Sequence, residues 1–251
     1  MKVGVSGNTQ QTYKGLQLLV SLGYDIVFIF GLSDEQLDGK VNSVNLTEFA
    51  NTHNIPLYKT NNWEDVLGYE VDMVISLGDS RYVPPFIIEK FKVIGNHGAI
   101  LPSVQGGASL VWGRMLNNGV WGVSLMELDK KIDNGTILKT ASFNYELDSD
   151  MNSFCDKCDD LTIELLKDLL ENGPDTTEYK SSKIDIKVTK GIDTKVGVEL
   201  LQFCLNNNLN VYMPPRAKEH GEVNDEWGAD FIERFKKANN SPYPKYFENE
   251  K

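Results

Sequence analysis

The chain has 251 residues, of which 41% are hydrophobic and 24% are charged, and this composition excludes disordered and collagen-like proteins. The net charge of −11 disfavours a nucleic acid as partner, because no block of Lys or Arg offsets it. No apolar run approaches the roughly 20 residues of a membrane span, and three cysteines are too few for a disulfide framework. We therefore expect a cytoplasmic protein with free thiols and no membrane partner.

The first 95 residues alternate between short apolar runs and helical patterns. Strands are predicted over residues 2–6, 25–30, 55–57, 71–77 and 91–94. Helices are predicted between them, over residues 13–23, 44–54, 63–67 and 84–90. This alternation predicts an α/β fold with a doubly wound, mostly parallel sheet and right-handed crossovers.

The pattern changes in the second half of the chain. Two runs, over residues 120–128 and 136–142, predict an antiparallel pair at one edge of the sheet. Helices are predicted over residues 107–116, 154–173 and 198–205, and short strands over residues 184–188 and 211–213. We therefore expect a main domain over residues 1–177 and a small α+β appendage over residues 178–251.

The turn after the first predicted strand, Gly7-Asn8, lies at an edge where ligands bind in open α/β sheets. It lacks the third glycine and the later acidic residue of a dinucleotide fingerprint, so an NAD site is disfavoured. The turn is either an ordinary connection or part of a crevice for another ligand.

Histidines and cysteines provide no metal site in this sequence. The three histidines, His53, His97 and His220, have no companion at ligand spacing, so no metal is predicted. Cys155 and Cys158 have C-x-x-C spacing, but both fall inside a predicted amphipathic helix. We assign them to core packing and not to redox chemistry.

The most specific pattern lies between Ile94 and Leu138. His97 follows a predicted buried strand and begins the motif H-x-x-x-L-P, which ends at Pro102. The motif is followed by Gln105-Gly106-Gly107 and later by the turn Asp133-Asn134-Gly135. This stretch resembles the folate-dependent formyltransferase family, whose pattern is N-x-H-x-x-x-L-P, then R-G, then D-x-G-x-I.

The likeness covers residues 94–138 as a motif and residues 1–170 as an order of elements. Two positions depart from the pattern. Gly95 stands where the family has Asn, and Asn96 is adjacent, so an extended strand turns Asn96 to the opposite face unless the strand bulges after Gly95. Gln105 stands where the family usually has Arg, which removes a cation near the acceptor.

The resemblance implies a Rossmann-like catalytic domain over residues 1–177 and transfer of a formyl group from 10-formyltetrahydrofolate to an amine, without a metal. His97 would donate to the oxyanion, Asp133 would raise the imidazole pKa and accept the amine proton, and Asn96 would polarise the formyl carbonyl. The folate-side residues by resemblance are Leu77, Gly78, Pro84, Asp133 and Gly135.

The C-terminal part of the chain provides the grounds for predicting which amine accepts the formyl group. Residues 178–251 contain ten Lys and two Arg against twelve Asp and Glu, which disfavours tRNA. The segment around Tyr243 resembles a P-Y-P segment of the sugar N-formyltransferase branch. Aromatic rings there would stack on a nucleotide base or simply pack the tail. The predicted acceptor residues are Gly7, Asn8, Gln105, Gly106, Gly107, Trp227, Tyr243 and Tyr246.

We therefore expect folate and a nucleotide-linked amino sugar as partners, with dTDP-4-amino-4,6-dideoxyglucose first and the 3-amino isomer second. The resemblance alone supports this order. The alternating run Ile184, Ile186 and Val188 would offer an edge strand for a homodimer of C2 symmetry. A glycinamide ribonucleotide transformylase-like enzyme and a catalytically silent folate- or nucleotide-sugar-binding protein remain as alternatives.

Overall fold

The computed structural model describes residues 1–38, 42–175, 185–187, 193–216, 218–243 and 246. The strands in these ranges are β1 (Lys2–Ser6), β2 (Asp25–Gly31), β3 (Leu57–Lys59), β4 (Met73–Ser76), β5 (Val93–His97), β6 (Val104–Gly106), β7 (Val120–Glu127), β8 (Thr136–Asn144), β9 (Asp185–Lys187) and β10 (Asn210–Met213). The α-helices are α1 (Gln10–Ser21), α2 (Asp34–Leu37), α3 (Thr47–His53), α4 (Pro85–Lys90), α5 (Ser109–Leu116), α6 (Met151–Asn172), α7 (Thr194–Asn206) and α8 (Ala229–Ala238). Two 3₁₀ helices cover Trp63–Val66 and Lys218–Gly221.

Seven strands form one sheet in the order β3-β2-β1-β4-β5-β7-β8. The first five of these pair in parallel, as the alternation of runs and helices predicts. β7 and β8 form a hairpin in which Tyr145 N–H donates to Gly119 O at 2.9 Å. The predicted mostly parallel α/β sheet is confirmed.

The parallel strands are almost wholly apolar because both of their faces are covered. The cluster around β2 and β4 includes Phe28, Phe30, Val74 and Ile87, each with a relative exposure of 0%. Burial of each such side chain stabilises the fold by about 1.5–3 kcal/mol. Helix α1 begins at the N-cap Thr9, which forms a capping box with Thr12.

A second sheet has the order β6-β10-β9, and all of its pairs are parallel. Val104 pairs with Val211, and Asn210 pairs with Asp185. The strand β6 was not predicted. The sequence pattern predicted that a helix begins at Gly107, whereas the structure has β6 over Val104–Gly106 and begins α5 at Ser109.

The chain divides into two compact units that are interleaved along the sequence. The first unit contains residues 1–96, 125–139 and 162–175, and the second contains residues 97–124, 140–161 and 176–251. The last segment of the second unit begins at residue 176, near the predicted boundary after residue 177, but this unit also contains residues 97–124 and 140–161. The C-terminal elements α7, β10 and α8 belong to the same unit as His97.

Candidate active site

His97 is a buried histidine at the carboxyl end of β5. Its side chain is 7% exposed, and Nε2 lies 3.0 Å from the backbone oxygen of Val104. A backbone carbonyl only accepts hydrogen bonds, so Nε2 carries the proton in this pair. The bond joins the end of β5 to β6, which follows it by only six residues.

Side chains of β7 hold the segment after His97. The Ser124 hydroxyl donates to Ala99 O at 2.8 Å and accepts from Leu101 N–H at 2.9 Å. Trp121 Nε1 donates to Gly98 O at 2.7 Å. Sequence reasoning missed both residues, although one serine within a nearly all-apolar strand is a signal for a buried hydrogen bond.

Asn96 faces the loop after β4. Its Oδ1 accepts from Gly78 N–H at 3.0 Å, and its side chain is half-buried. The β4–β5 register is regular through the pair Ser76 and Gly95, so the predicted possibility of a bulge has no support up to that pair. A Cβ at Gly95 would lie 2.7 Å from Leu128 Cδ2, so a larger residue there would require the Leu128 side chain to move.

The two segments predicted to bind folate are joined in the first unit. Tyr82 Oη donates to Lys130 O at 3.2 Å, which ties the loop after β4 to the loop between β7 and β8. Leu77 is fully buried, and Pro84 is the N-cap residue of α4. Asp133, in the second of these loops, has φ +52, a backbone conformation that Asp tolerates better than most residues.

Arg81 shapes the loop after β4 and was missed by sequence reasoning. Its guanidinium pairs with Asp79 at 2.7 Å and donates to the backbone oxygens of Phe30, Gly31 and Thr60, each at 2.9 Å. The same group lies over the Phe30 ring, 4.4 Å from its centroid. Arg81 therefore fastens this loop to the ends of β2 and β3.

At the carboxyl ends of β1 and β4, where the strand order reverses, contacts within the chain join the two strand ends. Thr12 Oγ1 donates to Leu77 O at 2.6 Å, and a Cβ at Gly7 would lie 2.2 Å from the same oxygen. The Asn8 side-chain oxygen accepts from Leu32 N–H. Gly7 and Asn8 thus hold strand ends together, and their use in acceptor binding stays a prediction.

The other predicted acceptor residues lie in the second unit. Gln105 pairs with Tyr212, and Gly107 N–H donates to Met213 O at 3.0 Å. Gly106 has φ +98, and a Cβ there would lie 2.0 Å from Met213 O, so only glycine fits this approach.

The C-terminal aromatics are largely used in packing. Trp227 is 8% exposed, and its ring centroid lies 5.0 Å from that of Phe231 and 4.9 Å from that of Phe235. Burial raises the pKa of the Tyr243 hydroxyl, which is hydrogen-bonded to Cys155. Tyr246 is half-buried under Lys236, whose Nζ lies 5.1 Å from the ring centroid. This packing weakens the prediction that Trp227 stacks on a base.

Burial also shifts the pKa values of two other ionisable groups of the second unit. Burial lowers the pKa of the Arg216 guanidinium to about 10, and burial raises the pKa of the Cys155 thiol to about 12. Within the described ranges, no cluster of His, Cys, Asp or Glu is suited to hold a metal ion. None of the helices in the described part of the chain has the length and apolarity to cross a membrane.

No protein-family model matches the chain. Among curated proteins, methionyl-tRNA formyltransferase from Lactobacillus gasseri is 25% identical over 183 residues, covering 69% of this chain and 58% of the relative. The same enzyme from Prochlorococcus marinus is 23% identical over 206 residues, covering 78% of this chain and 62% of the relative. The chain thus spans less than two thirds of the length of these relatives.

Three solved structures share the fold. WlaRD, a sugar 3N-formyl transferase in the presence of dTDP and 5-N-formyl-THF, matches with a TM-score of 0.68 and 17% identity, over 95% of this chain and 78% of its own. Methionyl-tRNA formyltransferase from Clostridium thermocellum matches with a TM-score of 0.67 and 14% identity, over 100% of this chain and 88% of its own. Phosphoribosylglycinamide formyltransferase from Bacillus halodurans matches with a TM-score of 0.57 and 16% identity, over 68% of this chain and 96% of its own. The comparisons support the formyltransferase resemblance and leave the acceptor open.

Proposed function

We propose that this protein transfers a formyl group from 10-formyltetrahydrofolate to the amine of a nucleotide-linked amino-dideoxy sugar. The proposal depends mainly on the position of His97. This buried histidine lies at the end of β5, and its Nε2 lies 3.0 Å from the backbone oxygen of Val104. A histidine held in this way has a defined proton position, which acid–base chemistry requires. The H-x-x-x-L-P motif around it and the shared fold point to formyl transfer rather than another reaction.

The first unit has suitable chemistry for a folate donor. Tyr82 and Lys130 join the loop after β4 to the loop between β7 and β8, and Asn96 holds the first of these loops through Gly78. Tyr82 and Phe86 are 53% and 42% exposed and offer flat apolar surface for an aromatic ring. WlaRD, which shares the fold, was crystallised with 5-N-formyl-THF.

Three side chains have roles in the proposed reaction. His97 donates to the oxygen of the formyl group as negative charge develops on it. By resemblance, Asp133 is assigned two roles: stabilisation of the His97 imidazolium and acceptance of the proton that the acceptor amine loses. Asn96 acts mainly through Gly78, because its Oδ1 is engaged there, and the amide NH₂ is its remaining donor group.

The acceptor is proposed from three considerations. The charge of residues 178–251 is balanced, with twelve basic and twelve acidic side chains, which disfavours a tRNA backbone. The likeness to the glycinamide enzyme covers a smaller share of this chain than the likeness to the sugar enzyme. WlaRD is a sugar 3N-formyl transferase, so the 3-amino sugar deserves a test equal to that of dTDP-4-amino-4,6-dideoxyglucose.

A substrate panel tests the proposal. The purified protein is incubated with 10-formyltetrahydrofolate and, in turn, each amino sugar nucleotide, glycinamide ribonucleotide and Met-tRNA, and products are identified by mass. Formylation of an amino sugar that is lost in His97→Ala is the expected result. Formylation of glycinamide ribonucleotide or Met-tRNA alone would refute the sugar acceptor. Binding of folate without any product would support the silent binding protein instead.

A further inference from the structure

The backbone carbonyl oxygen of Val104 lies 3.0 Å from Nε2 of His97. Both residues are buried, with exposures of 2% and 7%. The carbonyl belongs to β6, a strand of three residues whose first N–H, that of Val104, donates to Ile100 O at 3.0 Å. The position of this carbonyl therefore depends on what holds so short a strand.

Strand β10 holds β6 along its whole length. Val211 N–H donates to Ser103 O at 2.8 Å, and Gly107 N–H donates to Met213 O at 3.0 Å. Val211 lies opposite Val104 in the register. In this parallel pair, residues 103, 105 and 107 bond to β10, so the carbonyl of Val104 points away from β10 and toward His97.

The hydrogen bond between Nε2 of His97 and the Val104 oxygen determines which ring nitrogen carries the proton in neutral His97. If Nε2 presented its lone pair to the Val104 oxygen, two buried acceptors would face each other with no proton between them, which is unfavourable. The Nε2–H form is therefore favoured in the neutral ring, and the imidazolium keeps the same bond in a stronger, charge-assisted form. Protonation then changes at Nδ1 alone.

We propose that the Val104 carbonyl, held in place by β10, is a positioning group that keeps the proton of neutral His97 on Nε2 and makes Nδ1 the nitrogen that gains and loses a proton during formyl transfer. The proposal rests on the proposed function for the role of Nδ1, but its structural part does not. It gives the C-terminal residues 210–213 a place in the chemistry through the hydrogen-bonded pair β6–β10.

Nitrogen NMR of the full-length protein labelled with ¹⁵N-histidine tests the tautomer without any substrate. The signal of His97 is identified by its loss in His97→Gln, which leaves His53 and His220 as internal references. Above the pKa of His97, we expect a protonated Nε2 and an unprotonated Nδ1. The opposite tautomer would overturn the proposal. Because no substrate is present, this result is independent of the substrate panel.

Two backbone substitutions in the full chain test the positioning role. An ester bond made by replacing Gln105 with its α-hydroxy acid weakens the Val104 carbonyl as an acceptor. The matched control replaces Val211 with its α-hydroxy acid, which deletes the Val211 N–H bond to Ser103 O but leaves the Val104 carbonyl intact. Both variants therefore disturb the β6–β10 pair.

We expect the Gln105 ester to lower the pKa of His97, because the weaker acceptor stabilises the imidazolium less. Turnover should fall at least about fivefold with little change in KM, since the group acts on His97 and not on binding. The Val211 ester should leave the pKa of His97 and the turnover unchanged. Equal effects of the two esters would show that β6 has only a structural role and would refute the proposal.

Discussion

Single polar side chains determine the local geometry of the candidate active site. His97 is bonded to the Val104 carbonyl, Asn96 accepts from Gly78 N–H, and Arg81 donates to three backbone oxygens. Each of these bonds links a strand end to a loop or to a following strand. Loss of one side chain is therefore expected to change the site more than the sheet.

We predict that His97→Ala and Asp133→Ala each lower turnover at least about a hundredfold while the protein stays folded, because both groups serve the transition state. Steady-state kinetics with the acceptor found in the substrate panel measures the loss, and circular dichroism checks the fold. Near-normal turnover of either variant would contradict the assigned role.

Asn96→Ala is expected to raise the KM for the folate donor more than it lowers turnover, because the bond lost is the one that holds Gly78 in the folate-side loop. Asn96→Asp keeps an acceptor atom at the same position and should restore much of the donor affinity. A loss of turnover as large as that of His97→Ala would instead place the amide in direct contact with the reacting group.

Arg81→Lys should destabilise the protein by about 1–3 kcal/mol, because an ammonium group cannot make the paired contacts of the guanidinium with Asp79 and the strand-end carbonyls. Urea unfolding measures the change, and Lys59→Arg, at an exposed ion pair with Asp34, is the matched control. Equal effects of the two substitutions would contradict the role of Arg81 in fastening the loop.

At the level of elements, helix α6 contains the C-x-x-C spacing, and the location of a cysteine pair within a helix affects what the pair can do. Cys155 and Cys158 are three residues apart and both buried, at 5% and 2% exposure. Burial is the main reason why the pKa of each thiol is raised, so neither is a ready nucleophile. The spacing alone suggests a redox pair, whereas the helix assigns both residues to its packed face.

The raised pKa of these thiols predicts an alkaline loss of stability. The Cys155 thiol has a pKa of about 12 in the folded protein against 9.0 ordinarily, so the unfolded chain releases its proton first. The free energy of unfolding should therefore fall as the pH rises above about 9. Cys155→Ala should make that fall shallower in urea titrations at several pH values, and an unchanged slope would contradict the assignment.

At the level of the whole molecule, the two units are each made of segments that are distant in sequence. Residues 97–124 share their unit with the C-terminal part of the chain, and residues 125–139 share theirs with the first 96 residues. The candidate donor loops lie in the first unit, while His97 and the predicted acceptor residues after it lie in the second. Predictions about truncation follow from this division.

Deletion of residues 178–251 removes β10 and leaves β6 without its partner, so turnover should collapse together with acceptor affinity. Donor binding, followed by folate fluorescence, should remain measurable because both folate-side loops belong to the first unit. A truncated protein with unchanged turnover would show that the C-terminal part is dispensable for chemistry. The predicted C2 homodimer is tested separately by light scattering of the full chain, since Ile184 and Val188 lie outside the described residues.

The parallel strands of the main sheet, the helices between them and the motif around His97 could be predicted from the sequence. These features depend on local patterns: apolar runs of strand length, helical spacing, and residues close together along the chain. Strand β6 could not be predicted, because three residues, Val104–Gly106, carry too little periodicity and become a strand only by pairing with β10, some hundred residues later. The partner of Asn96, the fastening by Arg81 and the burial of Trp227 likewise depend on contacts between distant segments. They could not be predicted, because the geometry of a hydrogen bond is set by where two backbones meet and not by the residue types that meet there.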